Sequence, residues 1–199
     1  MTTILKPGIE KILQVLYKKH QRFHLRSLAR ETNQYGQSIT RYLKELEKEK
    51  ILESKKEGNL KQFQLKNNKK VFAIKALFDI ERFEKLPFEK KEAISSYIKT
   101  LPEKPVFIIL FGSTAKGTFT KESDIDLLII TNKKIQTTEA EKEADALHAT
   151  KISTFQINYK DCLKELKLKD DKVIQSAIST GYPILNQIYY YEVIQNERI

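Results

Sequence analysis

The chain has 199 residues, of which 40% are hydrophobic and 31% charged, and its formal net charge is +10 at pH 7. This composition excludes an intrinsically disordered chain, and the single cysteine, Cys162, excludes an internal disulfide or a cysteine-rich zinc site. The basic excess favours a polyanionic partner such as nucleic acid, although a lysine-rich surface of the kind found in thermophiles would give the same charge.

Helices followed by a hairpin are predicted in the first 68 residues. Apolar residues at helical spacing and apolar runs between turn signals define these elements. The predicted helices cover 8–20, about 23–30 and about 37–50, and the predicted strands cover 51–54 and 60–65. Gly58, between the two strands, supplies the turn chemistry of a hairpin.

This order of elements resembles that of winged helix-turn-helix transcription regulators. Residues 38–48 look like the recognition helix of that family, and residues 53–65 look like its wing. In the family the third helix enters the major groove and the wing touches the DNA backbone or the minor groove. The resemblance implies duplex DNA as a partner and a homodimer that reads two half-sites. A winged helix that serves protein contacts is the alternative.

The outer face of the predicted third helix carries the candidate nucleic-acid contacts. Helical spacing turns Ile39, Leu43 and Leu46 inward and leaves the polar side chains outside. Glutamine and arginine can read base edges, whereas serine, threonine and lysine suit phosphates. The candidates are Gln37, Ser38, Thr40, Arg41 and Lys44 in the helix, with Lys55, Lys56 and Lys61 in the wing.

The rest of the chain is predicted as a helical connector over 69–102 and a second domain over 103–199. The connector contains predicted helices over 71–86 and 88–101. The second domain contains predicted strands over 106–111, 123–130 and 151–158, a helical turn at 113–116, and helices over 138–150, about 160–167 and 170–180. The fold class is therefore α+β, with residues 1–68 as the winged helix-turn-helix domain.

A glycine-serine pair and two aspartates form the most informative motif. Gly112 and Ser113 follow a buried strand, where glycine lets a phosphate approach the backbone closely. Asp124 and Asp126 lie two residues apart, so strand alternation puts both carboxylates on one face. Such carboxylates repel each other unless a cation lies between them, and Mg²⁺ accepts oxygen ligands together with substrate phosphates. The alternative is two surface aspartates near a turn.

These residues resemble the signature of the DNA polymerase beta-like nucleotidyltransferase superfamily, in its minimal form. That signature is a hydrophobic strand, Gly-Ser, a gap of about ten residues and two aspartates separated by one apolar residue. The resemblance covers residues 103–165 and implies a small mixed β-sheet flanked by helices. It also implies that Gly112 and Ser113 hold the triphosphate of an NTP. Asp124 and Asp126 would then bind Mg²⁺ and orient an attacking hydroxyl.

One departure from the family bears on catalysis. Active members carry a third carboxylate on a following strand, whereas the predicted strand over 151–158 offers the amides of Gln156 and Asn158. An amide cannot take a proton from a hydroxyl at neutral pH. Asp161 is an acid, but it comes after the strand. The sequence therefore leaves open whether the domain is an enzyme.

Three functions remain open at this point. The first is a nucleotidyltransferase that moves a nucleoside monophosphate from Mg·NTP to an acceptor, with the winged helix docking nucleic acid. The second is a DNA-binding transcriptional regulator whose nucleotidyltransferase domain is degenerate and either senses a nucleotide or serves as an assembly surface. Minimal nucleotidyltransferases also occur as antitoxin partners of small helical toxins, which gives modification of a partner protein as the third.

A cytoplasmic protein without membrane association is expected. The longest apolar run, residues 106–111, is far too short to cross a bilayer, and no secretory signal is evident at the start of the sequence. We expect Cys162 to be a bystander thiol in a reducing compartment.

Overall fold

The computed structural model describes residues 5–197 and divides the chain into two compact units, one up to Lys75 and one from Ala76. The first unit contains α1 (Pro7–Lys19), β1 (Phe23–His24), α2 (Leu25–Thr32), α3 (Gly36–Lys48), β2 (Leu52–Glu57) and β3 (Leu60–Leu65). Its strands form an antiparallel sheet in the order β1-β3-β2.

The helices and hairpin of the first unit confirm the winged helix-turn-helix prediction. Ile39, Leu43 and Leu46 of α3 are buried, as their spacing predicts. The turn between α2 and α3 begins at Asn33, which adopts a left-handed conformation with φ 50°. Gly58 lies in the β2–β3 turn with a φ of 58°, a conformation that glycine adopts without the penalty of a Cβ.

Two helices follow the wing. α4 (Lys69–Glu84) contains the last residues of the first unit and the first residues of the second, and α5 (Phe88–Thr100) comes next. Both agree with the predicted helices to within two residues at each end. The proposed division of the chain into 1–68, 69–102 and 103–199 stays a prediction.

The second unit is built on a mixed sheet in the order β6-β5-β4-β7. After α5, its elements are β4 (Phe107–Phe111), α6 (Gly112–Lys116), β5 (Ile125–Thr131), α7 (Thr138–His148), β6 (Ile152–Asn158), α8 (Tyr159–Leu168), α9 (Lys172–Thr180), β7 (Tyr182–Leu185) and α10 (Gln187–Glu197). β5 and β6 are parallel, whereas β4 pairs antiparallel with β5 and β7. The predicted small mixed sheet flanked by helices is confirmed.

Helices cover both faces of this sheet. Every residue of β4 is buried, as the continuous apolar run predicts. On one face, Ile108 and Leu110 join a core cluster with Tyr97 of α5 and Ala144 of α7. On the other face, the ring of Phe107 packs edge-on against a tyrosine of α10, with ring centroids 5.5 Å apart. The central strand β4 is thus covered on both faces.

Two elements of the second unit were not predicted from the sequence, namely β7 and α10. β7 is a four-residue edge strand that contains Pro183, and such a short strand gives no alternation to detect. Gly181 permits its approach, because a Cβ there would lie 2.6 Å from the Leu110 carbonyl oxygen. α10 buries Tyr190 and Tyr191, so these tyrosines serve packing.

The prediction that β5 begins at residue 123 is wrong, since β5 begins at Ile125. The Ile125 amide makes the first bond across to the Lys151 carbonyl of the neighbouring chain segment. The Asp124 carbonyl instead accepts a hydrogen bond from the Thr114 hydroxyl at 3.3 Å. Asp124 therefore lies just before the strand, held by α6.

Two further expectations concern the membrane and the thiol. Within residues 5–197, no helix combines the length and the apolar character needed to cross a membrane. Cys162 is buried, and burial, with a smaller contribution from Glu165, raises the pKa of its thiol to about 11. A thiol that stays protonated at neutral pH is a poor nucleophile, as expected of a bystander.

Candidate functional site

Gly112 brings the end of β4 against the start of β5. It has a φ of 69°, in the left-handed region that favours glycine, and it opens α6 directly after Phe111. Phe111 pairs with Asp126 in the antiparallel β4–β5 ladder. A Cβ on Gly112 would overlap the Asp126 carboxylate. The glycine is thus required both for the turn and for the close approach of this acid.

Asp124 and Asp126 present their carboxylates on the same side of the sheet end. Asp126 pairs with Ser153 in the parallel β5–β6 ladder, so these two side chains share a face. The Ser153 hydroxyl in turn donates to Oδ2 of Asp124 at 3.3 Å. Burial, with the nearby charge of Asp124, raises the pKa of Asp126 above its ordinary value. The pair is electrostatically unfavourable without a compensating cation.

Two lysines lie beside these acids. The Lys151 ammonium is 3.2 Å from Oδ2 of Asp124, but its side chain is 70% exposed, so the ion pair is weak and easily exchanged. Lys90 is buried and donates to the Ser123 carbonyl at 2.7 Å. Burial lowers the pKa of Lys90, against the opposing effect of Asp124. Positive charge at this edge suits an anionic ligand such as a phosphate.

The two amides that the sequence offered in place of a third acid lie elsewhere. The Gln156 side chain bonds the backbone of Ile135, and Asn158 caps α8 by accepting the Asp161 amide. Neither faces the aspartate pair. The reason is alternation along β6, which turns Gln156 to the face opposite Ser153.

Asp161 belongs to the far end of the sheet. β5 and β6 run parallel, and Asn158, just before α8, pairs with Thr131 at the end of β5. The aspartate pair lies at the start of β5, about 20 Å away at the usual rise per strand residue. Across residues 5–197, no three acids, histidines or cysteines come together as a metal-binding group.

Sequence reasoning missed Ser153, Lys151 and Lys90 as neighbours of the pair. If the β5–β6 register had been known, the alternation of side chains along β6 would have placed Ser153 and Lys151 beside the pair. Lys90 carries no such signal, because it lies on α5, far earlier in the chain, and only the tertiary fold brings it to Ser123.

The candidate nucleic-acid face of α3 is solvent-accessible. Gln37, Arg41 and Lys44 are exposed, and Ser38 and Thr40 are half-buried. The Thr40 hydroxyl donates to the Gly36 carbonyl at 2.8 Å, and the Arg41 guanidinium lies 5.1 Å from the Tyr42 ring centroid. The structure thus brings these candidates together on one helix face.

An ion pair joins α3 to the wing. Lys61 of β3 lies 2.9 Å from Glu47 of α3, which also accepts the Ser54 hydroxyl at 2.6 Å. Burial by itself would raise the pKa of Glu47, but these bonds hold that pKa below its ordinary value. A groove of about 590 Å³ lies between α3 and β3. Lys55 and Lys56 are exposed farther along the wing.

Comparison with known proteins found one family model that is similar to part of this chain. Residues 92–188 match the family model described as polymerase beta, nucleotidyltransferase. A search of the curated proteins found no match.

Several solved structures are similar to part of this chain. A toxin-antitoxin structure with AMP-PNP is 16% identical, with a TM-score of 0.41 over 56% of this chain and 84% of that one. The regulator MepR of Staphylococcus aureus is 18% identical, with a TM-score of 0.37 over 48% and 76%. ZitR of Lactococcus lactis in complex with DNA is 18% identical, with a TM-score of 0.31 over 50% and 74%.

Replacing Asp126 with asparagine should stabilise the protein at about pH 7. Its raised pKa means that, as pH rises above 3.8, the unfolded state loses its proton before the folded state does. The stability contributed by Asp126 is therefore lost as pH rises. The increase in stability that Asp126→Asn gives over wild type should accordingly become smaller as pH falls towards about pH 3. Thermal denaturation of both proteins across this range measures the effect.

Asp161→Asn is the matched control, because hydrogen bonds from Lys164 and Asn158 lower the pKa of Asp161. That substitution should destabilise the protein at neutral pH, and the difference in stability from wild type should disappear as pH falls. An Asp126→Asn variant that is less stable than wild type at about pH 7 would contradict the assignment of a raised pKa.

Proposed function

We propose that residues 92–188, a nucleotidyltransferase domain of the polymerase beta family, move a nucleoside monophosphate from Mg·NTP to an acceptor. The observation that carries the proposal is the aspartate pair at the start of β5, pressed against Gly112. Two acids that converge in this way have a cost in stability, and sites of this kind are usually retained for function.

The residues present fit a hard divalent cation. Asp124 and Asp126 offer carboxylate oxygens on one side of the sheet end, which are the ligands that Mg²⁺ prefers. The absence of a side chain at Gly112 lets the backbone lie directly against the Asp126 carboxylate, so the glycine-serine turn is adjacent to the acids. When bound, the ion would neutralise phosphate oxygens and stabilise charge that develops during transfer.

The chain's own residues then perform three tasks. Gly112 and Ser113 receive the triphosphate through the backbone and a hydroxyl. Asp126 orients the acceptor hydroxyl by accepting its hydrogen bond. Lys151 is exposed enough to leave Asp124 and contact the anionic substrate.

A second candidate function is a DNA-binding transcriptional regulator that senses a nucleotide without turning it over. Two observations favour it. The first unit forms a winged helix with an exposed polar face on α3. On β6, the residue that faces Asp126 is Ser153, which cannot serve as a base at neutral pH. Nucleotide binding is common to both candidates, and turnover separates them.

Incubation with Mg²⁺ and each α-labelled NTP, with and without nucleic acid or a cell extract, should transfer label to an acceptor. Asp124→Ala should lower the transfer rate about a thousandfold, because a metal ligand supplies several kcal/mol to the transition state. Gel electrophoresis followed by autoradiography measures the transfer and identifies the acceptor class.

Asp161→Ala is the control for general loss of acidic charge, and it should transfer label at the wild-type rate. Label on a partner protein rather than on nucleic acid would support the antitoxin-like function. If wild type binds Mg·NTP but transfers no label to any acceptor, the regulator is the better account.

The winged helix is proposed to bind duplex DNA through α3 and the wing. Gln37 and Arg41 would reach base edges, and Ser38, Thr40 and Lys44 would contact phosphates. Lys55 and Lys56 extend the same contacts along the wing. The length of the protected DNA would show whether one copy binds or a homodimer reads two half-sites.

Lys44→Ala should weaken binding to a mixed-sequence duplex and reduce the slope of log affinity against log salt by about one. Arg41→Ala should weaken binding about tenfold as well. Fluorescence anisotropy over a salt series measures both effects.

Lys18→Ala, which replaces an exposed lysine at the end of α1, is the control and should leave affinity and slope unchanged. Equal losses from Lys18→Ala and Lys44→Ala would point to nonspecific attraction, and salt-insensitive or absent binding would favour protein contacts.

A further inference from the structure

Arg82, near the end of α4, reaches the segment that joins the two halves of the candidate site. Its guanidinium donates to the Ala115 carbonyl at 3.1 Å. Ala115 belongs to the last turn of α6, where carbonyl groups have no partner within the helix. The charged donor of Arg82 thus satisfies an acceptor that this short helix cannot satisfy itself.

The Arg82 guanidinium is itself held in place by a buried ring. Its central carbon lies 3.9 Å from the centroid of Tyr182, which is 2% exposed. Tyr182 pairs with Leu110 in the β4–β7 ladder, so its position is fixed by the central sheet. Stacking of this kind orients a guanidinium and costs little flexibility, because the planar group is already rigid.

The helix that carries Arg82 is anchored one turn earlier. Asp79 of α4 is 1% exposed and accepts a hydrogen bond from the Tyr191 hydroxyl at 2.7 Å. Residues three apart on a helix share a face, so Asp79 and Arg82 point in the same direction. The buried bond to α10 therefore fixes the direction from which Arg82 approaches α6.

Movement of α6 would be transmitted to both parts of the candidate site. At its first residue, Gly112 lies against the Asp126 carboxylate. In its middle, the Thr114 hydroxyl donates to the Asp124 carbonyl at 3.3 Å. At its end, Ala115 accepts from Arg82. A shift of this five-residue segment would thus displace Gly112 and Ser113 relative to the aspartates.

We propose that Arg82 is a positioning residue of the nucleotide site, which clamps α6 so that Gly112–Ser113 and Asp124 face the same triphosphate. This inference rests on the proposed function for its ligand, a nucleoside triphosphate with its divalent ion. Arg82 acts through Ala115 and Thr114.

Two variants and one control separate positioning from general stability. Arg82→Met removes the charge and the donors but keeps most of the stem, whereas Arg82→Lys keeps a cation and a donor. Lys85→Met removes an exposed cation just beyond the end of α4 and serves as the control. Amide hydrogen exchange at residues 112–118 reports the order of α6 without any ligand.

Arg82→Met should exchange faster at residues 112–118 while the amides of β4 and β5 keep their protection. Calorimetry with Mg·ATP, and with the other Mg·NTPs if ATP does not bind, should show affinity about tenfold weaker, as expected for loss of one bond from a charged donor. In the transfer assay KM should rise by a similar factor and kcat should change little. Arg82→Lys should recover part of both effects, and Lys85→Met should match wild type.

Unchanged exchange at residues 112–118 in Arg82→Met would overturn the proposal, as would faster exchange with undiminished Mg·NTP affinity. A fall in kcat at constant KM would also overturn it. If Arg82→Met fails to fold, the comparison of Arg82→Lys with Lys85→Met decides by the same readouts. If wild type binds no nucleotide, the proposed function fails, and the exchange data alone decide whether Arg82 clamps α6.

Discussion

Two carboxylates forced together at one end of a sheet are the constraint on which the second unit depends. Asp126 lies within β5, whose other residues up to Ile130 are apolar, and its pKa is raised by burial and by the charge of Asp124. Apolar replacements would relieve this cost, so the arrangement has to be explained by what it binds. The surrounding structure is arranged to keep the two acids together.

Three contacts hold the pair in place from different directions. Gly112 lies where any side chain would displace Asp126, Thr114 holds the backbone of Asp124, and Lys90 holds the preceding Ser123 carbonyl from α5. The ladder with β6 adds Ser153 on the same face. These contacts come from α6, α5 and β6, so the sheet and its helices together determine the geometry of the pair.

The parts of the fold with strong local patterns could be predicted from the sequence. The apolar face of α3, the Gly58 turn and the fully buried β4 each follow from spacing or turn chemistry. The order of the site motif also located Gly112, Ser113, Asp124 and Asp126. β7 was not predicted, because it is short and contains a proline. It also pairs with β4, a strand far from it in the sequence.

The neighbours of the pair could not be predicted, because they depend on register and tertiary packing. Gln156 was a natural candidate for a polar residue beside the pair, but the β5–β6 register puts Ser153 there instead. Arg82 and Lys90 come from helices whose sequence patterns say nothing about their partners. Alternation says which residues share a face, whereas only the register says which face meets the acids.

Manganese binding measured by electron paramagnetic resonance tests the central claim most directly, since Mn²⁺ replaces Mg²⁺ at oxygen sites. Wild type should bind Mn²⁺, and added NTP should tighten that binding and change the spectrum of the bound ion. A folded Asp124→Asn/Asp126→Asn double variant should lose both effects. Equal Mn²⁺ binding by the double variant and wild type would contradict the account, because the aspartates would then not be what holds the ion.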